Sequence, residues 1–185
     1  MNHGLLAFLS EESVKAHSEY LNTLNHRWSV VTKSYPAVIG KDIHKISRMR
    51  LDERENIIEL KCNIMFHELY FSSFGARYQR SAELKRAYGS EAEFLYRLYL
   101  TAEEERGVGV AVSLSQRDIR IVKLTAYTDI AYVQSPALVV DVAEHSYFAD
   151  YGFDRCAYLK AALSYLNISC IDKKFSDGIA KRNKP

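Results

Sequence analysis

A chain of 185 residues with 48% hydrophobic and 26% charged side chains has the composition of one soluble globular domain, or of two small ones sharing a core. Its net charge of +2 is too weak a bias to signal nucleic-acid binding, and it permits a small anionic substrate without requiring one. No run approaches the roughly 18 apolar residues of a membrane span, and the short stretch Leu5 to Leu9 lacks a basic leader, so no signal peptide is expected.

Ser10-Glu11-Glu12-Ser13 opens a helix, with Ser10 as cap and the glutamates at the positive end of the dipole. Leu21, Leu24, Trp28 and Val31 continue it at alternating spacings of four and three, and His17 extends the same stripe. This helix is predicted over Glu11 to Lys33, stopped by Pro36 and Gly40. Residues 40–50 read as a basic, solvated connector with one helical turn. A second long helix is predicted from Asp52 to Gln79, with the stripe Leu60, Ile64, His67, Phe71 and Phe74. Two such seams pack as an antiparallel hairpin.

The character changes near Gly89. Ser90 caps a helix running to Glu105, after which the period switches. Val108 to Leu114 and Ile119 to Thr125 read as β-strands around the turn 115–118, and Ala137 to Val142 as a third. Helix returns after His145, from Arg155 to Asn167, and a polar, basic tail is expected from Asp172 onward. The expected fold class is α+β. A helical hairpin (1–85) precedes an α+β domain with a three-stranded antiparallel sheet (86–175), then a tail (176–185).

Asp141-Val142-Ala143-Glu144-His145 is the densest chemical signal. A carboxylate directly after the apolar run Ala137 to Val140 is costly to bury unpaired. An imidazole four residues on can be presented to the same point. With His17 and His67 on the helical stripes, three imidazoles and one carboxylate would complete the shell of a redox metal such as manganese or iron. Each histidine taken alone is more simply a packed core residue, and Asp141 a helix cap. His3, His26 and His44 sit in polar surroundings and read as surface residues. Cys62, Cys156 and Cys170 show no metal or disulfide spacing, which fits a reducing compartment and makes the cytoplasm the default location. Gly107-Val108-Gly109 leads into a strand and so fails as a dinucleotide loop.

Asp141 to Tyr147 resembles the D-x-W-E-H-A-Y segment of the iron/manganese superoxide dismutases, and Phe153 to Tyr158 resembles their N-R-R-x-D-Y. Ser10 to His17 is similar to the start of that family's first long helix. Phe66 to Phe71 is similar to its N-H-x-x-F-W segment, and Tyr88-Gly89-Ser90 with Phe94 to its G-S-x-x-x-F. The resemblance spans residues 10 to 175. It implies one Fe or Mn per chain held by His17, His67, Asp141 and His145, with solvent as a fifth ligand and superoxide as substrate. It also implies a homodimer in which Glu144 bonds to the partner's ligand histidine and Tyr147 lies at the interface.

The chain departs from that pattern around the centre. Ala143 stands where the family has tryptophan, Gly107 to Val112 replaces G-x-G-W-x-W, and Phe71 replaces another tryptophan. The gateway tyrosine position falls at Asn25; Tyr20 is a poor substitute for it. One position of the outer glutamine falls near Thr128, and the other holds Asn63, which becomes the candidate for orienting bound solvent. Three readings follow: a superoxide dismutase, a metal-binding protein on the same fold with another redox or sensing role, and a metal-free interaction module.

Overall fold

The computed structural model describes residues 6–75, 80–115 and 118–182, with side chains to residue 177. Helix α1 (Glu11–Ser34) starts where expected. The Ser10 hydroxyl accepts from the Ser13 N–H at 3.1 Å, and the Ser10 N–H donates to Asp150 at 2.9 Å. A single helical turn, α2 (Ile43–Ile46), interrupts the connector, and α3 (Arg54–Ser72) returns antiparallel against α1. The hairpin seam is Leu21 and Leu24 against Leu60 and Ile64.

Helix α3 ends seven residues earlier than its periodicity suggests. Its last turn is diverted by Ser73, which is fully buried. The Ser73 hydroxyl donates to the Leu69 carbonyl at 2.7 Å and accepts from the Val139 N–H of the sheet at 2.8 Å. Phe74 then pairs with Leu166 in an isolated antiparallel bridge instead of extending the stripe. Residues 76–79, expected to be helical, lie outside the described residues. Two short helices follow, α4 (Ala82–Tyr88) and α5 (Glu91–Glu104), separated by Gly89 at φ +82°, a conformation that glycine adopts without strain, and by the cap Ser90. The first of these helices is absent from the sequence reading, because seven residues are too short to show a period.

Strands β1 (Gly109–Leu114), β2 (Ile119–Leu124) and β3 (Pro136–Asp141) form an antiparallel sheet in the order β2-β1-β3. The central strand is buried at every position, which a sheet covered on both faces requires. Phe66 and Tyr70 of α3 join Phe94 and Leu98 of α5 and the sheet valines in one core. Helix α6 (Phe148–Tyr151) and α7 (Arg155–Ser164) follow β3. The Arg155 guanidinium ties the start of α7 to the Ala102 and Glu105 carbonyls at the end of α5.

The expected tail is instead part of α8 (Ser169–Arg182). Ile171 is fully buried, and Asp172 accepts from the Ser81 hydroxyl and from the N–H groups of Ala82 and Glu83, so it caps α4. A polar composition read as a loose end therefore serves a distant helix terminus.

Candidate metal centre

Asp141 closes β3 opposite Gly109 of β1. A Cβ at Gly109 would lie 2.8 Å from the Phe66 ring and 2.7 Å from the Val140 carbonyl, so only glycine lets α3 approach the sheet here. Beyond Asp141 the backbone turns sharply. The Ala143 N–H donates to Asp141 Oδ1 at 2.9 Å, and the Tyr158 hydroxyl donates to the Asp141 carbonyl at 2.7 Å. These bonds leave Oδ2 turned toward three imidazoles.

His145 lies in the 3₁₀ turn Glu144–Ser146, with Nε2 3.2 Å from Asp141 Oδ2. His17 of α1 and His67 of α3 each place Nε2 3.8 Å from the same oxygen. All four ligating atoms lie within 4.8 Å of one another. The four residues singled out as candidate ligands are thus brought to one point from four separate segments. Two groups bound to one ion at ~2.1 Å stand roughly 3 to 4.2 Å apart, and the three imidazole–carboxylate separations fall in that span.

Several polar atoms at this point lack hydrogen-bond partners. Among the described residues, both ring nitrogens of His17, Nε2 of His67 and Oδ2 of Asp141 are buried without a hydrogen bond. Buried polar atoms are normally satisfied, and a cation is one group that could satisfy all of these at once. The His67 ring is held in one orientation, because Nδ1 sits 2.8 Å from the Asn63 carbonyl; that bond selects the tautomer whose Nε2 lone pair faces the cluster. His17 is stacked on Tyr70 at 4.8 Å and met edge-on by Phe71 at 5.3 Å. A set of three nitrogens and one carboxylate oxygen without thiolate suits manganese or iron better than copper(I) or a structural zinc.

Burial holds His17 neutral, lowering its pKa to about 4 against the opposing pull of Asp141. Burial lowers His67 as well. His145 goes the other way: burial opposes its charge, but contact with the Asp141 carboxylate prevails and raises its pKa. Its side chain is 41% exposed, against 2% for His17 and none for His67.

The surroundings of the cluster differ from the sequence reading in three places. Tyr20, a poor gateway by its offset from His17, nevertheless reaches the site: its hydroxyl accepts from Asn63 Nδ2 at 3.1 Å, and its ring lies 5.1 Å from His67 and 5.9 Å from His145. Asn25 is exposed on α1. One helical turn from His17 keeps a side chain on the same face, whereas eight residues carry it a further turn away. Thr128 faces a different hollow, with Ile43, His44 and Tyr132, and its neighbour Tyr127 packs on His67 instead, at 5.3 Å. Tyr127 belongs to a 3₁₀ segment, Tyr127–Tyr132, that gives no periodic signal.

Asn63 is buried with Oδ1 unpaired. It also lines a groove of about 530 Å³ between α1 and α3, together with Leu24, Arg27, Val31 and Leu60. Glu144 is exposed beside His145, while Tyr147 is 7% exposed and stacked on Tyr158 at 5.0 Å. His26 and His44 are exposed, and His3 lies outside the described residues.

No curated protein matches the chain. The family model for iron/manganese superoxide dismutases, C-terminal domain, matches residues 76–174. That span contains Asp141 and His145 but neither His17 nor His67, which the fold delivers to the same point from outside it. With more than half of its length matched, the chain belongs to the iron/manganese superoxide dismutases.

Proposed function

We propose that the chain is an oxidoreductase that disproportionates superoxide to oxygen and hydrogen peroxide, with one iron or manganese ion held by His17, His67, Asp141 and His145. The observation that carries this reading is the convergence of four ligating atoms, three of them buried and without hydrogen-bond partners. The first 85 residues supply two of these ligands and residues 86–175 the other two.

When bound, the metal would supply one-electron chemistry, taking an electron from one superoxide and giving one to a second. The residues do the rest. One carboxylate and neutral imidazoles leave a di- or trivalent ion with residual positive charge, which draws a small anion to the site. Two protons must reach the second superoxide as it becomes peroxide. The Asn63–Tyr20 pair orients a hydroxyl beside the cluster: because Tyr20 accepts from Asn63, its own proton remains available to a bound anion or solvent molecule. Tyr70 and Phe71 hold the His17 ring in place.

Glu144 and His145 are exposed side by side, and Phe148 and Phe153 stand at 45% and 91% exposure next to them. This supports a homodimer in which a second copy covers the open side, with Glu144 reaching the partner's ligand histidine. Among the described residues no helix is long and apolar enough to cross a membrane. The three free cysteines support a reducing compartment such as the cytoplasm.

A second reading is a metal-binding protein of the same fold with little dismutase activity. It is favoured by Ala143 and by the sheet run Gly109 to Val112, where the family's large aromatic groups are absent, and by the shorter amide of Asn63. Such surrounding groups typically change affinity or activity ~10–100-fold. Elemental analysis of the purified protein, followed by superoxide turnover per bound ion, separates the two. Stoichiometric metal with fast turnover supports dismutation. Stoichiometric metal with turnover at background supports the second reading, and a protein that takes up neither iron nor manganese overturns both.

A further inference from the structure

We propose that Tyr127 supplies a second hydroxyl to a small monovalent anion held beside His67 at the four-residue cluster, and so helps determine which anions the site holds. The proposal rests on the metal-centre reading above.

The Tyr127 ring lies 5.3 Å from the His67 ring and 5.0 Å from Phe66, which meets it at 70°. Its hydroxyl lies close enough to the Asp141 carboxylate and to Tyr20 for both to act on it electrostatically. It makes no hydrogen bond to another described residue. Tyr20 is engaged with Asn63, whereas Tyr127 reaches the same neighbourhood with donor and acceptor both uncommitted. A phenol hydroxyl both donates and accepts, so this one is free to bond a ligand or a solvent molecule.

The mount is rigid. Asp129 Oδ2 accepts from the Thr125 N–H and hydroxyl, both at 2.8 Å, and from the Ala126 N–H at 3.0 Å. Ile130, buried at 1% exposure, pins the other end of the segment. Three hydrogen bonds on one carboxylate oxygen fix the turn that aims Tyr127, so Asp129 is a positioning residue for it. A turn fastened in this way presents a side chain reproducibly, which a binding contact needs and a solvated loop does not.

The test is azide titration of the metal-loaded protein, followed by visible absorption, for the unaltered chain, Tyr127→Phe and Tyr132→Phe. Tyr127→Phe keeps the ring that packs on Phe66 and His67 and removes only the oxygen. Hydrogen bonds to charged groups are strong enough that its azide Kd should rise about 10- to 100-fold, with metal content and melting temperature unchanged. Tyr132 is 81% exposed in the same segment, and Tyr132→Phe should leave the Kd as it is. A Tyr127→Phe Kd within about twofold of the unaltered protein overturns the proposal, as does a metal-loaded protein that binds no azide. A chain that holds no metal overturns this proposal and the metal-centre reading together, so the two failures are distinguishable.

Discussion

The cluster has an inner and an outer half. His17, His67 and Asp141 are buried, shielded by Tyr70, Phe71 and Phe66, and held on α1, α3 and the end of β3. His145 sits on a three-residue turn with 41% of its side chain exposed. The inner three are part of the hydrophobic core as much as of the site, so their identity bears on folding. The outer one is attached to the same carboxylate and meets the rings of His17, His67 and Tyr20 from the solvent side, so truncating it opens less of the core than truncating an inner one. Within one constellation, depth of burial sets how much each residue bears on folding.

The sharpest way to break this contrast is to truncate an inner ligand. His67→Ala removes a fully buried ring and its bond to the Asn63 carbonyl. It should cost the metal-free protein about 3–5 kcal/mol, read by chemical denaturation, and abolish metal uptake. A cost below about 1 kcal/mol would show that the inner half is not structural.

Acid probes the same half. His17 titrates near 6.5 when unfolded and at about 4 when folded, so between these values the unfolded chain binds more protons. Stability of the metal-free protein is therefore full above pH 6.5, falls as pH drops, and has lost roughly 3 kcal/mol by pH 4 from this residue alone. His67, also lowered, adds to the loss, while His145, raised, opposes it. His17→Phe should flatten the slope of denaturation free energy against pH; an unchanged slope would assign the acid sensitivity elsewhere.

Ser73→Ala tests the joint between the hairpin and the sheet. It leaves the Val139 N–H without its acceptor inside the core and should cost about 1–3 kcal/mol with metal stoichiometry retained. The smallest effect is expected at the outer half. His145→Ala should cost the metal-free protein about 1 kcal/mol or less, while metal affinity falls by an order of magnitude or more. Equal stability losses for His67→Ala and His145→Ala would erase the distinction.

Much of this is legible in the residues. The two long helices declare themselves through stripes at spacings of three and four, and the strands through β-branched runs. The candidate ligands stand out because an aspartate after four apolar residues, and histidines on apolar stripes, are costly to bury without partners. What stays hidden depends on contacts between segments remote in sequence. The end of α3 is set by Ser73 bonding to Val139, α8 is held by Asp172 capping α4, and Tyr127 meets His67 through a turn built on Asp129. Tyr20 escapes a match by sequence offset, because a helix face decides where a side chain arrives.

The four candidate ligands are dispersed from residue 17 to residue 145, and this would govern when an ion could enter. During synthesis an emerging chain would offer only one or two imidazoles at a time, a weak and unselective trap for any divalent cation. The complete set exists only after β3 has paired with β1 and the hairpin has closed on it. On the proposed function, metal acquisition would be a late event in the life of the molecule, taking place on a finished scaffold and exposed to whichever ions its compartment then supplies.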